Sequence, residues 1–171
     1  MTHAHDDDAA CAVAHGEVKP DTGDRILVAV FASPVARYLL RYGADLGFDA
    51  FLLEPDPERA ADWTDVKPIT PADLDGRADV VVTDHHRDEL GPVLRDILAA
   101  GTRWIGVMGN PRHPAPHVPA LRALGVAEND IARVHRPIGL NIGSRTPAEI
   151  AVATLAGLLA DRNGRPGGFE F

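Results

Sequence analysis

The stretch Arg25-Ile26-Leu27-Val28-Ala29-Val30-Phe31 (RILVAVF) decides the fold. It is a nearly continuous apolar, β-rich run, the pattern of a strand buried on both faces of a parallel sheet. Just beyond it, Ser33 and Pro34 supply an N-cap and a first-turn proline for a helix through Leu46, and Gly47 stops that helix. Phe48 to Glu54 (FDAFLLE) reads as the next strand. Strand, helix and strand within about 30 residues form a βαβ unit, whose crossover is right-handed.

Downstream the alternation continues. A strand is expected over Asp79 to Thr83, a helix over Arg87 to Ala100, a strand over Arg103 to Met108 and a helix over Ala115 to Leu124, closed by Gly125. Thr146-Pro147-Ala148-Glu149 is a capping box with a first-turn proline and opens a last helix reaching about Arg162. A short extra strand between Trp63 and Ile69 has only a weak signal. The pattern predicts an α/β fold: a Rossmann-like, doubly wound, mainly parallel sheet with helices on both faces. Residues 1–24, rich in Ala, Asp and His and without a sustained period, are expected to be a mobile tail. Residues 25–162 form the Rossmann-like domain, and residues 163–171 a Gly/Pro-rich C-terminal tail.

Composition narrows the function. The 171 residues suit one domain, and no apolar run approaches the ~20 residues of a membrane span. The N-terminus lacks the basic start and apolar stretch of a secretory signal, and the single cysteine, Cys11, cannot form an intrachain disulfide. A cytoplasmic location is therefore expected, with no membrane partner. A formal net charge of −8 opposes binding to phosphate backbones, so nucleic acid is not an expected partner.

In open α/β sheets ligands bind beyond the carboxyl ends of the strands, where helix N-termini and loop amides meet. Candidate residues there are Ser33 and Glu54, then Thr83, Asp84, His85 and His86 in one loop, and Gly109, Asn110 and Arg112 in another. The segment from His135 to Thr146 adds His135, Asn141 and Arg145. His and Arg side chains beside helix N-termini suit an anion or phosphate, and the three loops are expected to converge on one cleft. No metal site is expected: adjacent histidines on a loop more often cap a helix or face solvent, and the His, Asp and Cys residues of the tail match no zinc spacing. Pro137 to Gly143 reads either as a ligand loop or as a tight turn tucking the chain beneath the last helix. No nucleophile elbow, Walker loop or catalytic triad is present.

Gly106-Val107-Met108-Gly109-Asn110-Pro111-Arg112 and, above all, Ala132 to Ala151 (ARVHRPIGLNIGSRTPAEIA) resemble the Rossmann domain of XdhC/CoxI proteins. The resemblance extends from about Arg25 to Arg162. It implies an accessory protein for maturation of molybdenum hydroxylases of the xanthine or CO dehydrogenase type, rather than an enzyme. The implied ligand is the molybdenum cofactor (molybdopterin) or a nucleotide-like molecule. The implied partner is a molybdenum hydroxylase, or a separately encoded domain like the N-terminal one of typical members; a homodimer is a further expectation. In that family the first βα turn resembles G-A-G-H-V-A, whereas here it reads Phe31-Ala32-Ser33-Pro34-Val35-Ala36. Loss of both leading glycines argues against NAD(P) and against the alternative of a nucleotide-dependent oxidoreductase. A ligand-free scaffold for protein contacts is the remaining alternative.

Overall fold

A computed structural model describes residues 4–168, with side chains from residue 9 onward. Its centre is the strand read first: β1 (Ile26–Val30) pairs in parallel with β2 (Asp49–Leu53) on one side and with β4 (Ala78–Val82) on the other. With β3 (Lys67–Pro68), β5 (Trp104–Val107) and β6 (Val134–His135), the sheet runs β3-β2-β1-β4-β5-β6, every pairing parallel. This is the strand order of dinucleotide-binding Rossmann folds, and its topological switch point lies between the ends of β1 and β4.

Alternate residues of the central strands feed two cores, as period-two geometry requires. Val28, Val30, Val80, Val82 and Ile105 face α4 (Leu90–Ala99) and α5 (His117–Ala123). Leu27, Ala29 and Val81 face α2 (Pro34–Asp45) and the C-terminal α7 (Pro147–Arg162), which lie against each other. Helices thus cover both faces. Ser33 caps α2 as its sequence indicates, accepting from the Ala36 amide at 3.1 Å. Thr146 and Glu149 close the capping box of α7.

The connections differ from the sequence reading. The segment expected to be a mobile tail contains α1 (Ala4–Ala14), an alanine-rich helix ended by Gly16 at φ +73°. The Gly16 and Glu17 amides donate to the Val13 and Ala12 carbonyls, a Schellman ending. Alanine's high helix propensity carries this segment, because α1 has no distinct apolar face whose period could have been read. Two further one-turn helices, α3 (Pro57–Ala60) and α6 (Glu128–Ile131), were likewise not expected. The predicted helix from Arg87 begins only at Leu90, because Arg87 is drawn into an ion pair described below.

The β2 to β3 crossover contains only α3, where a Rossmann half normally places a full helix. The face of β2 and β3 beside α2 is left as an open groove of about 1140 Å³.

Candidate functional site

The switch point is where a Rossmann fold opens for its ligand, and here the chain bridges it with its own side chains. The Ser33 hydroxyl donates to Thr83 Oγ1 at 2.8 Å, and the Thr83 hydroxyl reaches the Phe31 carbonyl at 2.9 Å. The ends of β1 and β4 are thereby linked. Ser33 and Thr83, both read as ligand residues, spend their hydroxyls on this bridge.

Glu54 ends β2 with its side chain only 1% exposed. Its Oε2 accepts from the Ala32 amide at 2.8 Å and its Oε1 from the Asp56 amide at 3.0 Å. Both oxygens also accept from Arg87, Oε1 from Nη2 at 2.9 Å and Oε2 from Nη1 at 3.1 Å. Burial alone would raise the Glu54 pKa, but the Arg87 and backbone hydrogen bonds outweigh it and hold the carboxyl below its ordinary range. Arg87 continues to Glu89 Oε1 at 3.1 Å and lies over the Phe31 ring, 4.6 Å from its centroid. With two hydrogen bonds to each oxygen, Glu54 has no acceptor left for a ligand hydroxyl.

Phe31 sits at φ +72°, a left-handed conformation that a glycine adopts without cost, and this is why a glycine suits the first position of the turn. Its ring does not project into ligand space. It is fully buried in the core beneath Arg87. The turn is obstructed instead by Glu54, which occupies the Ala32 amide that would otherwise face an anion.

The other half of the cleft, beyond β4 and β5, is cationic. Arg136 follows β6 and folds back over the β5 loop, donating to the Asn110 carbonyl at 3.0 Å and to the His113 carbonyl at 3.1 Å. Gly109 makes room for it: a β-carbon there would meet Arg136 Nη2 at 2.6 Å. His85 hydrogen-bonds the Met108 backbone and lies against His86, ring centroids 4.1 Å apart. Burial lowers the His85 pKa, and the His86 and Arg136 charges add to that effect against Asp84. His117 is nearly fully buried, and burial followed by the Arg136 charge lowers its pKa as well. His117 Nδ1 and Arg136 Nε are buried without a hydrogen-bond partner. Among the described residues no carboxylate pairs with Arg136.

The remaining candidates divide. Asp84 and Asn110 shape their loops, accepting from the His86 amide at 3.0 Å and the Arg112 amide at 2.9 Å. The Arg112 side chain is exposed. His135 stacks on Trp104 at 5.3 Å, an engagement with the sheet edge. Asn141 and Arg145 are exposed, and the Arg145 amide donates to Glu149 Oε2 at 2.6 Å in the approach to α7. The glycine-rich loop from Pro137 to Gly143 does tuck under the last helix: the Leu140 amide donates to the Ala153 carbonyl at 3.0 Å, and Gly139 rests on Gly157. Thr83 to His86, Gly109 to Asn110 and Arg136 come together, while no hydrogen bond among the described residues ties Asn141 or Arg145 to them. The candidate residues did not include Arg87, His117 or Arg136. Arg87 could have been suspected as the basic residue following β4 opposite Glu54; His117, after a proline-rich loop, carries no such signal.

The fold and cleft define a Rossmann-type domain whose standard phosphate turn is internally occupied and whose second half presents imidazole and guanidinium groups. A family model described as the XdhC Rossmann domain matches residues 27–158, and the chain belongs to that family. It is 38% identical over 97 residues to the uncharacterized protein YqeB of Escherichia coli K12, an alignment covering 56% of this chain and 18% of YqeB. A crystal structure titled as a xanthine dehydrogenase from Bacillus halodurans superposes with a TM-score of 0.65 at 21% identity, over 82% of this chain and 45% of that one. That likeness is one of fold. The chain spans less than half the length of either relative.

Proposed function

We propose that this chain is an accessory domain in the maturation of molybdenum hydroxylases of the xanthine or CO dehydrogenase type. In this reading it works in the cytoplasm with a hydroxylase client or a separately encoded accessory domain. It holds an anionic cofactor, the molybdenum cofactor or a nucleotide-like molecule, at the His85, His117 and Arg136 end of the cleft. Membership of the XdhC Rossmann family supports an accessory role in general. The observation that carries the ligand class is Arg136: in a chain of formal net charge −8, its guanidinium has backbone carbonyls as its partners and imidazoles as its neighbours. A phosphate-bearing ligand would supply the missing negative charge, and Arg is well suited to bind it.

Native mass spectrometry of the full chain mixed with a molybdopterin-containing extract tests this. A bound adduct is expected, weakened at least tenfold by Arg136→Ala, about 1.4 kcal/mol. Absence of an adduct, or one indifferent to Arg136→Ala, would sink the reading.

A further inference from the structure

In the cationic end of the cleft, His85 has one ring nitrogen already committed. It is half-buried, and a ring N–H donates to the Met108 backbone carbonyl. A neutral imidazole carries a single N–H, so the second nitrogen of His85 offers only a lone pair. A lone pair repels an oxyanion. Protonation reverses this, because an imidazolium keeps the Met108 bond and gains a second N–H to donate to an anionic oxygen. The charged and titratable groups that bear on His85 are His86 and Asp84 of its own loop and Arg136 from the segment after β6, while the β5 end contributes the uncharged Met108 backbone. Asp84 accepts from the His86 amide at 3.0 Å, and among the described residues no carboxylate forms an ion pair with His85 or Arg136. Burial, followed by the His86 and Arg136 charges, holds the His85 pKa below its ordinary 6.5, so the empty cleft keeps this ring neutral at neutral pH.

On the reading that this end of the cleft holds an anion, we propose that a tetrahedral oxyanion enters together with a proton, which His85 receives at the nitrogen not bonded to Met108. Arg136 supplies the standing charge, and His85 supplies a second one that exists only while the anion is bound. One proton passes from water to His85 as the anion enters and returns when it leaves; no other bond forms or breaks. His117 is the competing acceptor, with a buried and unpartnered Nδ1. It is only 3% exposed and Arg136 is the charge that bears on it, which leaves the half-open His85 as the ring a ligand can touch. Around His117, α4 packs on α5 through Gly91 against Ala120 and Leu124, and Glu128 of α6 is paired with Arg122 at 2.6 Å. The sign of the pH dependence follows. An anion raises the His85 pKa, so the gain in affinity is fully present below the pKa of the empty cleft and is lost as pH rises through that of the occupied one, by up to about tenfold per pH unit for one proton.

Sulfate is the probe, since it stays a dianion at every pH used and cannot carry the proton in itself. It is titrated into the full 15N-labelled chain at constant ionic strength, and the imidazole nitrogens are followed by NMR between about pH 6.5, the ordinary imidazole value, and about two units above it. The His85 nitrogens are expected to move from the neutral to the imidazolium pattern as sulfate binds, and the dissociation constant to rise by about tenfold per pH unit. Both readouts come from the parent chain and need no variant. His85→Gln should bind sulfate more weakly and with one affinity across the range, whereas His86→Gln should retain the slope. Sulfate that binds the parent with a pH-independent affinity overturns the proton coupling and leaves the anionic ligand standing. A slope that survives His85→Gln and vanishes in His117→Gln overturns the assignment to His85. Sulfate that shifts no imidazole of the cleft at any pH overturns the proposal too, and the molybdopterin adduct then shows separately whether the cofactor reading falls with it.

Discussion

Arg87 and Glu54 meet through two parallel hydrogen bonds of 2.9 and 3.1 Å across the end of β1, with the guanidinium lying on the Phe31 ring. The pair ties the loops after β2 and β4 together and covers a backbone turn held at positive φ. Both side chains are almost wholly buried, so each needs the other's charge. Arg87→Ala is expected to lower stability by about 3–5 kcal/mol, because it strands a buried carboxylate. Arg87→Lys should recover only part of that loss, since an ammonium cannot make the paired contact. Urea denaturation should show a lower midpoint at unchanged slope; a midpoint like that of the parent would show that Glu54 finds other partners.

The same pair sets a pH dependence. The Glu54 pKa lies lower in the folded chain than its ordinary value of 4.5, so the folded state favours the ionised form. That contribution is fully present above about pH 4.5 and is lost as pH falls through the lower folded value. In Glu54→Gln the overall stability should be lower at neutral pH, and the acid-induced loss below pH 4.5 should be smaller than in the parent. Equal acid sensitivity in the two proteins would place the titration elsewhere.

Gly157 offers a purely steric test. A β-carbon there would stand 2.9 Å from the Gly139 α-carbon, and its three nearest neighbours are all backbone atoms of Gly139. Gly157→Ala is therefore expected to cost about 1–3 kcal/mol through overpacking, although alanine favours the helix by about 1 kcal/mol. Gly43→Ala is a useful contrast, because its nearest obstacle is the Leu27 side chain, which can shift. Thermal melts of both variants measure the difference; a stabilised Gly157→Ala would mean the loop under α7 moves freely.

How far the sequence can be read depends on the range of the interaction. β1, the Ser33 cap and the Thr146 capping box were legible because apolar runs and caps are local signals. The α1 helix was not, since its propensity comes without a periodic apolar face. In the cleft, the loops after β4 and β5 were placed together by the switch-point rule, and the structure joins them to Arg136. The destinations of Glu54, Ser33 and Thr83 were not legible. Each is set by partners 22 to 53 residues away, and only the fold brings them within hydrogen-bond reach. The direction of the Phe31 ring is likewise not legible: at positive φ the side chain departs from the path a turn residue ordinarily takes, and it enters the core.

The last prediction is that free NAD(P) binds weakly or not at all, and that restoring a glycine alone does not change this. In a dinucleotide site the pyrophosphate rests on amides at the first helix N-terminus, with glycines keeping β-carbons out of its way. Here the Ala32 amide already donates to Glu54 at 2.8 Å, Ser33 spends its hydroxyl on Thr83, and Pro34 has no amide hydrogen to offer. Phe31→Gly would relieve about 1–2 kcal/mol of backbone strain. It would also remove a buried ring, at a cost of about 3–5 kcal/mol. The net effect should be a less stable protein whose turn is still occupied by Glu54, because the ring was never what obstructed it. Isothermal titration of the parent and of Phe31→Gly with NAD, NADH, NADP and NADPH should give dissociation constants weaker than ~10 μM, about 7 kcal/mol. Tight binding to the parent would mean that the Glu54 and Arg87 pair opens for a ligand, and would revive an oxidoreductase reading. Tight binding confined to Phe31→Gly would show that the ring, and not Glu54, closes the turn.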